Sequence, residues 1–341
     1  MQAVFDGHND AITRSDHALI ATARPNGHLD LPRMRAGGVR AGIFAVFAPS
    51  PNDDWTMVER DDGVIEAALA DPAAHADAAA YATAVAGRLL ALERTGEMRI
   101  ARTVDDLDAA HDDDGPPVAV LHLEGAEAID PALESLDLWY AAGLRSLGPV
   151  WSRPNAFGHG VPFIFPSSPD TGPGLTPAGQ ALVARCGELG IMVDLSHLNE
   201  AGFWDVAKAD IGPLVASHSG AHALSAASRN LTDRQLDTIG GTGGLVGIVY
   251  ACPFLREDFA DDADTPLELI VRHVAYVAER IGVAHVGLGS DFDGATIPAD
   301  LGDVAGVPKL LGALAEAGFS AGEIAQIAWG NWRRVIRAWW R

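Results

Sequence analysis

Eight short apolar runs, each parted from the next by a stretch of mixed or helical character, constrain this chain more than any other feature. They cover 3–7, 41–47, 117–123, 144–150, 191–196, 214–217, 244–250 and 285–290. Several are continuously apolar rather than alternating, as strands buried on both faces of a parallel sheet are. Helical patterns lie between them, at 76–94, 176–189, 266–281 and 307–317. The second opens Thr176-Pro177, an N-cap followed by proline at the first helical position. Parallel strands need crossover connections, so eight strand–helix units predict an α/β fold, a (β/α)8 TIM barrel with long loops on its catalytic face. No repeat, low-complexity tract or linker divides the 341 residues, and one barrel domain over 1–341 is expected. Segment 155–174, rich in Gly, Pro and Ser, is expected as a long loop after the fourth strand.

Charge narrows the partners. The formal charge is −22, from 46 acidic and 24 basic residues, which argues against nucleic acid because phosphate binding needs a basic surface. Runs such as Asp112-Asp113-Asp114 and Asp261-Asp262 carry part of that charge and serve solubility. Cys186 and Cys252 lie far apart, outside any Cys-x-x-Cys motif, so a reducing cytoplasm is expected rather than a disulfide framework. The opening residues lack a basic leader region, and no apolar run approaches the roughly 20 residues of a membrane span. Neither a leader nor a membrane partner is expected. The aromatic, basic stretch 331–341 reads as a last helix packed on the barrel, with a subunit contact as the other reading.

In such a barrel the chemistry sits at the C-terminal ends of the strands. The first strand ends with His8 and Asp10, two residues apart and so pointing the same way. The third ends His122-Leu123-Glu124, the fifth Asp194-Leu195-Ser196-His197, the sixth Ser217-His218-Ser219 and the eighth Ser290-Asp291-Phe292-Asp293-Gly294. Three histidines (His8, His197, His218) and three acids (Asp10, Glu124, Asp291) thus meet on one rim. A pair of divalent cations sharing a carboxylate needs about this many ligands. Any one of these residues could be a hydrogen-bonded core group, but that does not explain five segments ending equivalent strands. His17, His28, His75, His111, His273 and His285 fall away from those ends and read as surface or packing residues.

These motifs resemble those of the membrane (renal) dipeptidase family, peptidase family M19, among the amidohydrolase-like metal barrels. The resemblance rests on Asp6-Gly7-His8-Asn9-Asp10, Glu124-Gly125, Gly174-Leu175-Thr176-Pro177, Asp194-Leu195-Ser196-His197, Ser217-His218-Ser219, Ser228-Arg229-Asn230 and Ser290-Asp291-Phe292-Asp293-Gly294. It implies two Zn2+ per chain, His8 and Asp10 on the first, His197 and His218 on the second, with Glu124 and a hydroxide bridging them. It implies that this hydroxide attacks the amide, and that Asp291 takes its proton and passes it to the leaving amine. It implies that Arg229 binds substrate, its planar fork suiting a carboxylate. Tyr250, at the end of strand seven, and Asn155 are further substrate-wall residues. The implied substrate is a dipeptide with a free C-terminal carboxylate, a D-residue being tolerated there, and the implied assembly is a homodimer.

One position departs from the family. A histidine after strand four commonly helps polarise the scissile carbonyl, and Trp151 stands in its place. An indole N–H donates a hydrogen bond but carries no positive charge. Either Trp151 donates, or His159 or Arg153 reaches in, or the substrate differs. Two rival functions stay open: a hydrolase of N-acyl amino acids or another small amide, lactam or ester, and a non-catalytic binding protein with a decayed site. The intact ligand set argues against the second.

Overall fold

A computed structural model describes residues 2–52, 56–67, 69–112 and 115–340. Asp113 and Asp114 of the first acidic run, and Arg341 of the C-terminal stretch, lie outside the described residues. The eight apolar runs form eight parallel strands: β1 (Val4–Asn9), β2 (Val39–Phe47), β3 (Val118–Glu124), β4 (Leu144–Gly148), β5 (Met192–Val193), β6 (Val215–Ser219), β7 (Leu245–Ile248) and β8 (Val286–Leu288). β1 to β5 pair in sequence order, with the short strand Arg99–Ile100 added beside β3, and β6 to β8 pair likewise. Isolated parallel bridges join the two sheets at both seams, Asp194 to Val215 after β5 and Asn9 to Phe292 after β8. The strands therefore run round a (β/α)8 barrel, as their number and apolar character predict.

Every residue of β1 and β3 is buried, the expected result for strands covered by side chains inside and helices outside. The helix Pro177–Leu189 starts where its cap predicts: the Thr176 hydroxyl accepts from the Gly179 N–H at 3.1 Å. Helices His75–Thr95, Glu268–Ile281 and Val307–Glu316 match the other three patterns within two residues.

The loop after β4 holds more order than its composition predicts. Ile164–Phe165 pairs antiparallel with Ile65–Ala67, which pairs antiparallel with Met57–Glu59. This small sheet lies beside the C-terminal mouth of the barrel, and Met57 and Phe163 line the cavity there. Strands of two or three residues, paired across about a hundred positions, leave no local periodicity to read.

The C-terminal helix Asn331–Trp339 closes the opposite mouth. Arg334 donates to the carbonyls of Gly243, Gly244 and Ala284, while the Trp339 and Trp340 indoles donate to Pro213 and Arg145. Those acceptors sit at or before the starts of strands. Trp332 is fully buried, and its N–H donates to the Leu288 carbonyl at 3.0 Å. A Cβ on Gly7 or Gly287 would fall 2.4 or 2.5 Å from the indole, so glycine in β1 and β8 makes the ring's seat. Trp332→Ala is expected to lower unfolding free energy by about 3–5 kcal/mol in urea titration. A loss under about 1 kcal/mol would show that the seat collapses without penalty.

Candidate active site

The C-terminal rim gathers side chains from five segments. Glu124 is the last residue of β3, and its Oε1 lies 3.0 Å from His197 Nε2, 3.5 Å from His8 Nε2 and 3.6 Å from His218 Nε2. Asp10 Oδ2 is 3.6 Å from His8 Nε2. The ligand atoms of His8, Asp10 and Glu124 lie within 4.8 Å of one another, and so do those of Glu124, His197 and His218. Two triplets thus share one carboxylate. Asp291 stands within the same distance of His8 and His218.

The electrostatics of this cluster suit a cation. The Ser217 hydroxyl donates to Asp194 Oδ2 at 2.5 Å, so His218 Nδ1–H donates to Ser217 Oγ at 2.7 Å. His218 Nε2 then keeps its lone pair, 3.0 Å from His197 Nε2. Both ring nitrogens of His8 are buried without a hydrogen-bond partner. Buried polar atoms are rarely left so; one divalent ion beside His8 would give a ring nitrogen a partner, and another would sit between the close nitrogens of His197 and His218. Burial alone would raise Glu124, yet facing His8 and His197 it is held well below the carboxylate range. Burial opposes charge on His8, but Glu124 and Asp10 outweigh it and hold it well above its ordinary value. Burial pushes His197 down to about 4 and His218 well below its usual range. An anionic oxygen among imidazole nitrogens is a donor set for zinc or a similar ion.

Asp291 and its neighbours are held under backbone strain. His197, Asp291 and Asp293 adopt φ of 68°, 62° and 68°, a region that costs non-glycine residues about 1–3 kcal/mol each. Such strain persists where the surroundings over-determine it, as at catalytic rims. A Cβ on Gly294 would meet Asp291 Oδ1 at 2.3 Å and Asp10 Oδ2 at 2.4 Å, so glycine there lets the two carboxylates approach. Burial lifts Asp291 to about 7, with Asp10 and Glu124 adding to the rise.

A cavity of about 830 Å³ opens over the cluster, lined by Asp10, Glu124, His197, Asp291 and Trp151 among others. Trp151 packs against His197, ring centroids 5.6 Å apart. Arg229 is buried and, like Tyr250, is not among the residues that line the cavity. It donates to Ser219 Oγ and the His218 carbonyl, its guanidinium lies 5.8 Å from the Phe254 ring, and burial lowers it to about 10. Tyr250 is also buried, against Phe292. Asn155 and His159 are not brought to the cavity. The Asn155 amide donates to the Pro149 carbonyl and accepts from the Phe157 and Gly158 N–H groups, while His159 Nδ1 contacts the Gly174 carbonyl. Arg153 does not reach in either, being bound to Glu127, Ser50 and Ala48. His28, expected away from the chemistry, lines the cavity instead, its Nδ1 accepting from the Asp293 N–H. The long chain between β1 and β2 folds back over the rim, which periodicity does not reveal.

Further side chains hold the rings of this cluster in place. Ser152 Oγ contacts His197 Nδ1 at 2.8 Å, and Asp194 holds His218 through Ser217. His122, fully buried beneath the cluster, bonds Ser146 at 2.9 Å and stands 3.8 Å from Asp194. Only the Ser217-His218 adjacency hints at such support. Partners that fix a ligand ring are worth about 10- to 100-fold in metal affinity. Ser152→Ala is therefore expected to weaken metal retention by that factor in a competitive chelator titration, and an unchanged affinity would remove Ser152 from the site.

Known proteins bear on this arrangement. The chain matches the family model for membrane dipeptidase (peptidase family M19) over residues 1–339. It superposes on the crystal structure of dipeptidase AC, an M19 metallopeptidase, with a TM-score of 0.92 and 45% identity over 99% of this chain and 98% of that one. It fits equally well, at 0.92 and 44% identity over 99% of both chains, on a metallopeptidase from Rhodobacter sphaeroides solved with a phosphinate mimic of the dipeptide L-Ala-D-Ala. The dipeptidase tcpJ of Claviceps purpurea (strain 20.1) is 28% identical over 97% of this chain and 76% of its own length. With ligand triplets on one barrel rim and a family match through nearly its whole length, the chain belongs to the membrane dipeptidase family, peptidase family M19.

Proposed function

We propose that this chain is a binuclear zinc dipeptidase, cleaving the amide bond of dipeptides that carry a free C-terminal carboxylate. The observation that carries the reading is the pair of ligand triplets sharing Glu124 beneath a single cavity. His8 and Asp10 would hold one ion, His197 and His218 the other, and Glu124 both. Zinc, when bound, supplies a Lewis acid that polarises the peptide carbonyl and acidifies water. The chain's own groups do the rest. The Asp291 carboxylate takes a proton from the attacking water and returns it to the leaving amine nitrogen. Arg229 binds the substrate carboxylate through N–H groups not spent on Ser219 and His218. Trp151 borders the substrate, while Tyr250, expected at the substrate wall, packs against Phe292 and does not line the cavity. The strained turn at Asp291–Gly294 and the hydroxyls of Ser152 and Ser217 keep the reacting groups in place.

Tolerance of a D-residue at the C-terminal position belongs to the same proposal, supported by the L-Ala-D-Ala mimic bound to the Rhodobacter sphaeroides relative. So do a single domain over 1–341, a homodimer and a cytoplasmic setting. The two cysteines are buried and free, and no helix among the described residues is long and apolar enough to cross a membrane. Trp151 in place of the family's histidine favours one second reading, a hydrolase of N-acyl amino acids or related small amides.

The test is metal content and hydrolysis on one preparation. About two zinc per chain, with amino acids released from a library of L-Xaa-L-Xaa and L-Xaa-D-Xaa dipeptides, is the expected result. Cleavage of N-acyl amino acids but of no free dipeptide would favour the second reading. Metal-loaded protein inert to both would overturn the assignment.

A further inference from the structure

The cavity has two unlike sides. On one, Phe47 from the end of β2, Trp151, Phe163 and Phe254 form a continuous aromatic wall. Ring centroids lie 5.0 Å apart for Phe47 and Trp151, 5.8 Å for Trp151 and Phe163, and 5.6 Å for Phe163 and Phe254. Met57 extends the wall from the small antiparallel sheet. The other side, beyond Asp10, is polar, with Thr13, Arg14, Asn26 and His28. Four rings gathered from three separate segments present apolar faces to a cavity whose volume sits high in the usual range for small-molecule pockets, about 300–1,000 Å³.

The wall has a fixed place relative to the chemistry. Trp151 packs on His197, and the Arg229 guanidinium lies 5.8 Å from the Phe254 ring while donating to the His218 carbonyl. The wall therefore shares the His197 and Arg229 side of the ligand cluster, and the polar side shares that of Asp10. A dipeptide whose amide carbon sits over Glu124 must place its two residues on opposite sides. The end whose carboxylate turns to Arg229 meets the rings.

The geometry points to the aromatic wall as the subsite for the side chain of the C-terminal residue, selecting dipeptides in which that residue is large and apolar. This rests on the dipeptidase reading and on Arg229 as the carboxylate partner. Trp151 then has a use that an imidazole would not serve, since it gives the wall its central face. A side chain larger by several carbons covers ring surface that a methyl group leaves wet, and one methylene in an apolar pocket is already worth about 10-fold or more in kcat/KM.

The experiment compares kcat/KM of zinc-loaded enzyme for Ala-Phe, Phe-Ala and Ala-Ala, each with L and D forms of the C-terminal residue. The expected result is that Ala-Phe exceeds Ala-Ala by about tenfold or more, with a smaller gain for Phe-Ala. Trp151→Ala and Phe163→Ala should each bring the Ala-Phe to Ala-Ala ratio down severalfold, and Trp151→Phe should keep most of it. The ratio is taken within one preparation, so a variant that folds poorly or binds less metal lowers both rates and leaves the ratio standing. Cleavage of all three peptides with no preference for Ala-Phe, a preference attached to Phe-Ala, or a ratio that survives both alanine variants would each overturn the subsite and leave the dipeptidase reading intact. Zinc-loaded enzyme that cleaves none of the peptides would overturn that reading, and the subsite with it.

Discussion

Glu124→Ala is expected to strip the protein of tightly held metal and of dipeptide hydrolysis together. Its Oε1 is within 3.6 Å of three imidazole nitrogens, and both ligand triplets need it. Losing a partner behind a ligand costs about 10- to 100-fold in metal affinity, and losing the carboxylate shared by both sites should cost more. Hydrolysis should fall by at least about 10³-fold, corresponding to about 4 kcal/mol of lost transition-state stabilisation. Metal analysis after gel filtration, beside rates with zinc added back, measures both. The wild-type metal complement and a rate within about tenfold of wild type would show that Glu124 is not the shared ligand.

Asp291→Asn should separate chemistry from binding. The amide matches the carboxylate in shape but takes up no proton, so kcat should fall by about 10²- to 10⁴-fold while metal content stays at the wild-type level. Asparagine tolerates left-handed backbone as well as aspartate does, so the φ of 62° is no obstacle to folding. A structural role would show itself as lost metal or lost stability with a modest change in kcat. A variant that keeps both its metal and its rate would leave the proton transfer to another group.

The cluster of histidines and acids on the rim could be read from the chain because each member ends an apolar run. His8 and Asp10 share a face by the two-residue repeat of a strand, and Glu124, His197, His218 and Asp291 follow runs whose ends a parallel barrel places on one rim. What orients them could not be read. Ser152 reaches His197 across 45 residues, and Asp194 reaches Ser217 across 23. Asn155 and His159 looked equally available in a Gly- and Pro-rich loop. Which side chains of a loop turn inward depends on backbone hydrogen bonds such as those that hold Asn155 to Pro149, Phe157 and Gly158.

By itself the amino-acid sequence determined the barrel, the order of its strands and which histidines and acids end them, because burial on both faces and strand periodicity are local properties with long-range consequences. Only the tertiary structure decided the rest: that Glu124 reaches both triplets, that His28 comes back to the rim, that Phe47, Trp151, Phe163 and Phe254 form one wall, and that Trp332 fills a seat left by Gly7 and Gly287. Those outcomes depend on ångström-scale contacts between segments far apart in the chain, and such contacts follow from packing and hydrogen bonding rather than from any local pattern of residues.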